Sequence, residues 1–101
     1  MYTTIRHYNI APNSADEVIK RAVEGFIPII SKSSGFSSYD MVNTGSDTVT
    51  TISTFDTQAG MDTSTELAAS WVKENLSSFM TSPPLVMGGL VGGHKSARYV
   101  R

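Results

Sequence analysis

The spacing of apolar and polar positions in the first third of the chain predicts a strand followed by a helix. Residues 2–10 are rich in β-branched and aromatic types, which favour a strand. From 14 to 30 apolar residues recur at three- and four-residue intervals, so this segment should form a helix with one buried face. Ser14 and Glu17 have the spacing of a capping box at its start. Pro28 lacks an N–H group and therefore predicts a bend near its end.

The rest of the chain predicts a hairpin, a second helix and a last strand. Three strands fall at residues 36–44, 49–55 and 85–91. The first two are joined by a short loop that contains Gly45, which is a hairpin signal. The second helix should begin at Asp56 and continue until Pro83 stops it. Ser64 is an alternative start, because Gly60 weakens the first turn.

The predicted order of elements is β-α-β-β-α-β, which defines an α+β fold of the ferredoxin-like class. In this fold a four-stranded antiparallel sheet carries both helices on one face. The length of 101 residues corresponds to a single domain, with a core at 2–91 and a C-terminal tail at 92–101. No repeat or linker divides the chain.

Both faces of the predicted sheet mix apolar side chains with short hydroxyls. In the first strand Arg6 and Tyr8 share one face, and Ile5 and His7 share the other. An antiparallel sheet with helices on one side usually presents polar residues on its free side. The mixture therefore predicts a homodimer in which a second copy covers the free face. The alternative is a monomer whose surface tolerates threonine-rich strands.

Composition and charge narrow the possible partners. The net charge is −1, which gives no overall attraction to nucleic acid or membranes. No apolar run approaches the roughly 20 residues that cross a bilayer, so we expect a cytoplasmic protein. Lys95, Arg98 and Arg101 make the tail basic, and we interpret them as a solvated end.

Several kinds of chemistry lack the residues they require. The chain has no cysteine, which excludes disulfides, thiolate catalysis and cysteine-based metal sites. Its two histidines, His7 and His94, are too far apart in sequence for a zinc site of the usual kind, so no metal is expected. There is no G-x-S-x-G elbow for a serine hydrolase. The glycines at 88–93 lack the strand-then-helix context of a phosphate loop.

Three stretches carry a resemblance to a known family: SGF at the start of the second strand, STFD at the end of the hairpin, and ELAASWVKENL on the second helix. Over residues 2–91 the chain resembles the antibiotic-biosynthesis-monooxygenase-like group of dimeric α+β barrels, especially an uncharacterised bacterial subgroup. The resemblance implies a homodimer whose two sheets form one barrel, with a pocket between sheet and helices in each subunit. It also implies activities that differ among relatives, from cofactor-free oxygenation of aromatic polyketides to haem degradation.

Six residues are candidates for lining this pocket, and a catalytic residue cannot be assigned among them. They are Arg6, Tyr8, Tyr39, Ser53, Trp71 and Asn75. If Arg6 faces the helices, its charge needs a partner, either Glu24 or an acidic ligand. His7 is a weaker candidate for a general base because it lies on the opposite face of the strand.

Four of these residues also have a purely structural interpretation. Trp71 lies on the apolar stripe of the second helix and would serve as a core residue. Arg6 would form a salt bridge at the surface or interface, and His7 would be an interface residue with a backbone partner. Tyr39 would pack across strands.

The function that these residues favour is a cofactor-independent monooxygenase-like reaction on a small aromatic or polyketide-like molecule. A cation and hydroxyl donors would stabilise the anion that forms when such a substrate loses a proton. No cofactor is expected, and haem is disfavoured because residues 56–82 contain no histidine. The alternatives are a non-catalytic small-molecule-binding protein and a structural homodimer with a filled core.

Overall fold

The computed structural model describes residues 1–97, and it confirms the predicted order of the strands and helices. In chain order these are β1 (Tyr2–Asn9), α1 (Ala15–Gly25), α2 (Ile27–Ile30), β2 (Phe36–Gly45), β3 (Thr48–Phe55), α3 (Gln58–Asn75) and β4 (Leu85–Leu90). A short 3₁₀ helix at Ser77–Phe79 follows α3. Arg98 and Arg101, two of the basic residues of the predicted tail, lie outside the described residues.

The four strands form one antiparallel sheet in the order β2-β3-β1-β4. Burial alternates along β3 and, from Thr4 onward, along β1, as expected for a sheet with helices on one side. Thr4, Arg6 and Tyr8 of β1 are buried beneath the helices. On the other face of β1, Ile5 is exposed and His7 is partly exposed in the single chain. The predicted α+β class with one helical face is therefore confirmed.

The start and the bend of the first helix differ from the sequence-based prediction. The Ser14 hydroxyl makes no capping bond to the helix and instead donates to the Ala11 carbonyl oxygen at 2.6 Å. The bend lies at Phe26, between α1 and α2, and not at Pro28. Pro28 occupies the first turn of α2, where a missing N–H group costs no helical hydrogen bond.

The second predicted helix, α3, is continuous from Gln58 and passes Ser64 without interruption. The Thr57 hydroxyl accepts a hydrogen bond from the Gly60 N–H at 3.0 Å, which stabilises the first turn in spite of the glycine. The helix ends at Asn75, well before Pro83, so the prediction that Pro83 stops it was wrong. None of the helices within residues 1–97 has both the length and the apolar character that a membrane span requires.

The core consists of two buried clusters between sheet and helices. One lies around Tyr8, Val18 and Leu76, and the other around Phe26 and Phe55. The partly buried Met41 and Trp71 pack against both clusters. These two side chains therefore join the halves of the core at the centre of the molecule.

Candidate ligand site

Arg6 is a buried cation beneath the helices. Its position on β1 places the side chain between β3 and α3, and only 2% of its surface is exposed. Nη1 donates to Ser53 Oγ at 3.2 Å, and Nη2 donates to Thr65 Oγ1 at 3.0 Å. The Thr65 hydroxyl in turn donates to the Met61 carbonyl oxygen at 3.2 Å. The sheet and α3 together fix the orientation of the guanidinium.

The charge of Arg6 has no protein counterion in the described part of the chain. Both hydrogen-bond partners are neutral hydroxyls, and no acidic side chain within residues 1–97 forms an ion pair with Arg6. Glu24, considered as a partner from the sequence, lines a separate surface cleft with Arg21. Burial lowers the pKa of Arg6, and the nearby Tyr8 and Tyr39 oppose that shift. The guanidinium has five N–H donors and stays protonated in proteins, so the site favours an anion.

A groove of about 250 Å³ opens beside Arg6, between β1, β4 and the outer side of α3. We refer to it as the Arg6 groove. It is lined by Arg6, Tyr8, Thr65, Ala69, Val72, Lys73, Ser77, Met80, Pro84 and Val86. Its volume is slightly below the usual range for small-molecule sites, roughly 300–1,000 Å³. Apolar walls with a few polar groups are typical of such sites.

Behind the Arg6 groove, aromatic side chains fill most of the space between sheet and helices. Phe26 contacts Tyr39 and Trp71, with ring centroids 5.7 and 5.5 Å apart. The cavity that remains among them has a volume of about 20 Å³, which is room for about one water molecule. Tyr39 and Trp71 thus line a nearly filled cavity, whereas Arg6 lines the open groove.

Tyr8 connects the two spaces, because its side chain lines both the small cavity and the Arg6 groove. Burial raises the pKa of Tyr8, which the nearby Arg6 partly offsets. Burial also raises the pKa of Tyr39 to about 12, and the proximity of Tyr8 adds to the shift. Both phenols are therefore protonated at neutral pH and can act as hydrogen-bond donors.

Thr51 contributes a buried hydroxyl to the same cavity. Its side chain is 2% exposed and lies near the Tyr39 hydroxyl. Its Oγ1 has no hydrogen-bond partner within residues 1–97. A hydroxyl in this situation usually has a water or ligand partner. The cavity is large enough for that one molecule.

The remaining predicted site residues lie in other places. Ser53 is fully buried and reaches the site only through its hydrogen bond from Arg6. Asn75 is exposed, donates to the Trp71 carbonyl oxygen at 2.9 Å, and borders the cleft between α1 and α3. His7 lies on the free face of the sheet, where its Nδ1 is 2.9 Å from Thr50 Oγ1.

Sequence reasoning missed Thr65 and Lys73 as residues of this site. Thr65, Ala69 and Lys73 are spaced by four, so they share one side of α3. That spacing was available in the sequence. The signal was hidden because the side facing β4 carries few large apolar residues, unlike the stripe that contains Trp71.

Comparisons with known proteins identify the fold. No protein-family model matches the chain, and no curated protein matches it. Among solved structures, NE2512, a protein of unknown function from Nitrosomonas europaea, superposes with a TM-score of 0.80 at 16% identity, over 97% of this chain and 95% of that one. A Streptomyces coelicolor monooxygenase from the gene ActVA-Orf6, solved with nanaomycin D, has a TM-score of 0.76 at 14% identity, over 96% and 92%.

A third similar structure is a MhuD variant with two manganese protoporphyrin IX molecules per active site, with a TM-score of 0.72 at 10% identity, over 96% of this chain and 100% of that one. Others are described as antibiotic biosynthesis monooxygenases. This chain therefore has the fold of the antibiotic-biosynthesis-monooxygenase-like proteins, as its motifs predicted. Proteins of this fold differ in what they bind.

Proposed function

We propose that this protein binds a small aromatic or polyketide-like molecule in the Arg6 groove and oxidises it with molecular oxygen, without a cofactor. The observation that carries the proposal is the buried guanidinium of Arg6, which has no acidic partner within residues 1–97. A buried charge of this kind is costly unless something compensates it. An anionic substrate oxygen at the end of the groove would provide that compensation.

The chemistry follows from the anion that Arg6 would stabilise. An anthrone-like substrate loses a proton from its CH₂ group to a solvent water molecule in the open groove, and the resulting enolate has its negative charge mainly on oxygen. The carbanion carbon then bonds to O₂, and the peroxide takes up a proton. Loss of water leaves a carbonyl group, so one oxygen atom enters the product and the other forms water. Arg6 lowers the energy of the enolate, and Tyr8 can donate a hydrogen bond beside it.

Haem fits this site poorly. Among residues 1–97, no histidine or cysteine, two of the usual iron ligands, lines the Arg6 groove or the small cavity. Tyr8 and Met80 border the groove, but burial raises the pKa of Tyr8 and so disfavours the phenolate that would bind iron. No step of the proposed reaction uses a porphyrin.

Dimerisation is part of the proposal because the free face of the sheet carries a row of apolar side chains that are exposed or partly exposed in the single chain. A cross-strand row runs from Ile52 through Ile5 to Met87. In the single chain 37% of Ile5 and 52% of Met87 are exposed. A second copy laid on this face would cover the row. The Arg6 groove lies on the helical side and would remain open.

Oxygen uptake tests the reaction. The wild-type protein should consume oxygen with anthrone, and Arg6→Met should reduce the rate at least tenfold, because it removes the cation from the enolate. Arg21→Met is the matched control, since Arg21 is exposed and pairs with Glu17 on α1. Its rate should equal that of the wild type.

The variants also distinguish catalysis from binding alone. Arg6→Met should remain folded, because it replaces a desolvated charge by an apolar side chain of similar length. Arg6→Lys provides a second test, because lysine retains the positive charge but lacks the planar guanidinium group. A ligand-dependent rise in melting temperature with 2-naphthol, with no oxygen uptake above the protein-free rate, would favour the alternative of a non-catalytic binding protein.

A further inference from the structure

The Arg6 groove carries two cations and, among the described residues that line it, no acid. Arg6 lies buried at its inner end, and the exposed Lys73 lies on its wall along α3. The other lining residues are neutral, and those between the two cations include Ala69 and Val72. A groove with this charge distribution attracts a ligand that is negative at both ends and apolar between them.

From this arrangement we propose that the ligand is an aromatic acid with two anionic oxygen groups at opposite ends of about two fused rings. One group binds Arg6, and the other binds Lys73. This inference rests on the proposed function, because it names the class of molecule that occupies the same groove.

The separation between the two charges follows from helix geometry. Thr65 holds the Arg6 guanidinium at 3.0 Å, so it marks the inner end of the groove on α3. Lys73 lies eight residues further along the helix, which is a distance of about 12 Å at a rise of about 1.5 Å per residue. The Lys73 stem is flexible, and its Cβ tilts toward the helix N-terminus, which shortens the gap. Two fused rings with oxygens at opposite ends match this range.

The two ends of the ligand experience different environments. At Arg6 the anion is desolvated and faces a planar guanidinium, whose orientation is already fixed by the hydroxyls of Ser53 and Thr65. At Lys73 the second anion stays in contact with water, so its contribution is smaller and decreases with salt. We therefore expect Arg6 to determine whether an anion binds at all, and Lys73 to select which anion binds best.

Isomers of equal charge provide the sharpest test. Calorimetry would compare 2,6-naphthalenedicarboxylate, with its carboxylates at opposite ends, to 2,3-naphthalenedicarboxylate, with adjacent carboxylates. 2-Naphthoate, with a single carboxylate, measures the Arg6 contribution alone. The wild-type protein should bind the 2,6 isomer about threefold to fivefold more tightly than either of the others, as expected for one exposed ion pair. Because the two diacids carry the same charge, unspecific attraction cannot produce this difference.

Substitution of Lys73 should abolish the preference without abolishing binding. Lys73→Met should bind the 2,6 isomer and 2-naphthoate with equal affinity, whereas Arg6→Met should bind both more weakly than the wild type does. Lys32→Met is the control, because Lys32 is an exposed lysine outside the groove. It should retain the preference of the wild type for the 2,6 isomer. Raising the salt concentration should reduce the preference in the wild type.

The possible failures can be told apart. If Arg6→Met weakens binding of 2-naphthoate but Lys73→Met leaves the preference for the 2,6 isomer unchanged, the two-anion ligand is wrong and the proposed function stands. Equal affinity of the wild type for the two diacids would have the same meaning. If none of the three acids binds at millimolar concentration, the groove does not take aromatic anions and the two-anion ligand is wrong, whereas the proposed function is decided separately by oxygen uptake with anthrone.

Discussion

Trp71 packs so closely in this small core that it limits which side chains its neighbours can carry. A Cβ atom added at Gly25 would lie 2.8 Å from Trp71 Cζ2, closer than real Cβ atoms approach another heavy atom. Gly25 is the last residue of α1, immediately before the bend. The absence of a side chain there lets the indole ring pack against Phe26 and fill the space in front of Tyr39.

Gly25→Ala should therefore destabilise the protein, although alanine is the better helix former. We expect a loss of about 1–3 kcal/mol in the free energy of unfolding, typical of an overpacked core. Urea denaturation measures it. Gly92→Ala is the control, since Gly92 lies outside the strands and a Cβ there meets no atom within 4 Å. An equal effect of both substitutions would show that Trp71 does not limit the space at Gly25.

Tyr39 should make stability sensitive to alkaline pH. Burial raises its pKa from 10.0 to about 12. Below pH 10 the phenol is protonated in both states and contributes no pH dependence. Between pH 10 and 12 the unfolded state loses the proton first, so the free energy of unfolding falls by about 2–3 kcal/mol. Urea denaturation across this range should show a shallower decline for Tyr39→Phe. An unchanged decline would contradict the burial of this hydroxyl.

At the level of elements, α3 connects the fold to the site. The Thr57 cap sets where the helix begins, and that start places Thr65 two turns later against Arg6. Lys73 follows after two further turns, on the same side of the helix. The register of one helix thus determines the separation of the two cations.

Thr57→Ala should cost about 1 kcal/mol in the free energy of unfolding, because the Gly60 N–H loses its hydrogen-bond acceptor. Thr57→Ser should retain most of the stability. Thr63→Ala is the control, since Thr63 is exposed within the same helix and its replacement should change stability by less than about 0.5 kcal/mol. Thermal denaturation of the three variants would be compared. A loss at Thr63 as large as that at Thr57 would argue against the cap.

For the whole molecule, the two faces of the sheet have different roles in our proposals. The helical face contains the core, the buried Arg6 and the groove. The free face combines the apolar row around Ile5 with paired hydroxyls, such as Thr3 and Thr54 at 2.9 Å. These hydroxyls satisfy one another within the sheet, so a partner copy would not leave them without hydrogen bonds.

Ile5→Lys should convert a dimer into a monomer, because it places a charge at the centre of the apolar row. The monomer should stay folded, since Ile5 is already exposed in the single chain. Val23→Lys is the control: Val23 is an exposed apolar residue on α1, away from the sheet. Sedimentation at micromolar concentration distinguishes the two forms. A wild-type protein that sediments as a monomer would refute the dimer.

The amino-acid sequence was enough to predict the order of elements, the fold class and the division of β1 into two faces, but not which of those faces lies beneath the helices. These follow from periodicity and local breakers, which are properties of neighbouring residues. Because successive side chains of a strand point to opposite faces, the alternation along β1 was enough to separate Arg6 from His7. The bend at Phe26 and the end of α3 were misplaced, since tertiary packing, rather than Pro28 or Pro83, sets where a helix stops.

Only the tertiary structure decided which candidates lie together. Arg6, Ser53 and Thr65 are far apart in sequence, and their meeting depends on how α3 lies across β1 and β3. The same packing puts Tyr39 and Trp71 around a nearly filled cavity and Asn75 at another cleft. Periodicity predicts which face of a strand or helix a residue occupies. It does not predict which residue of another element that side chain will contact, because that depends on how the elements pack together.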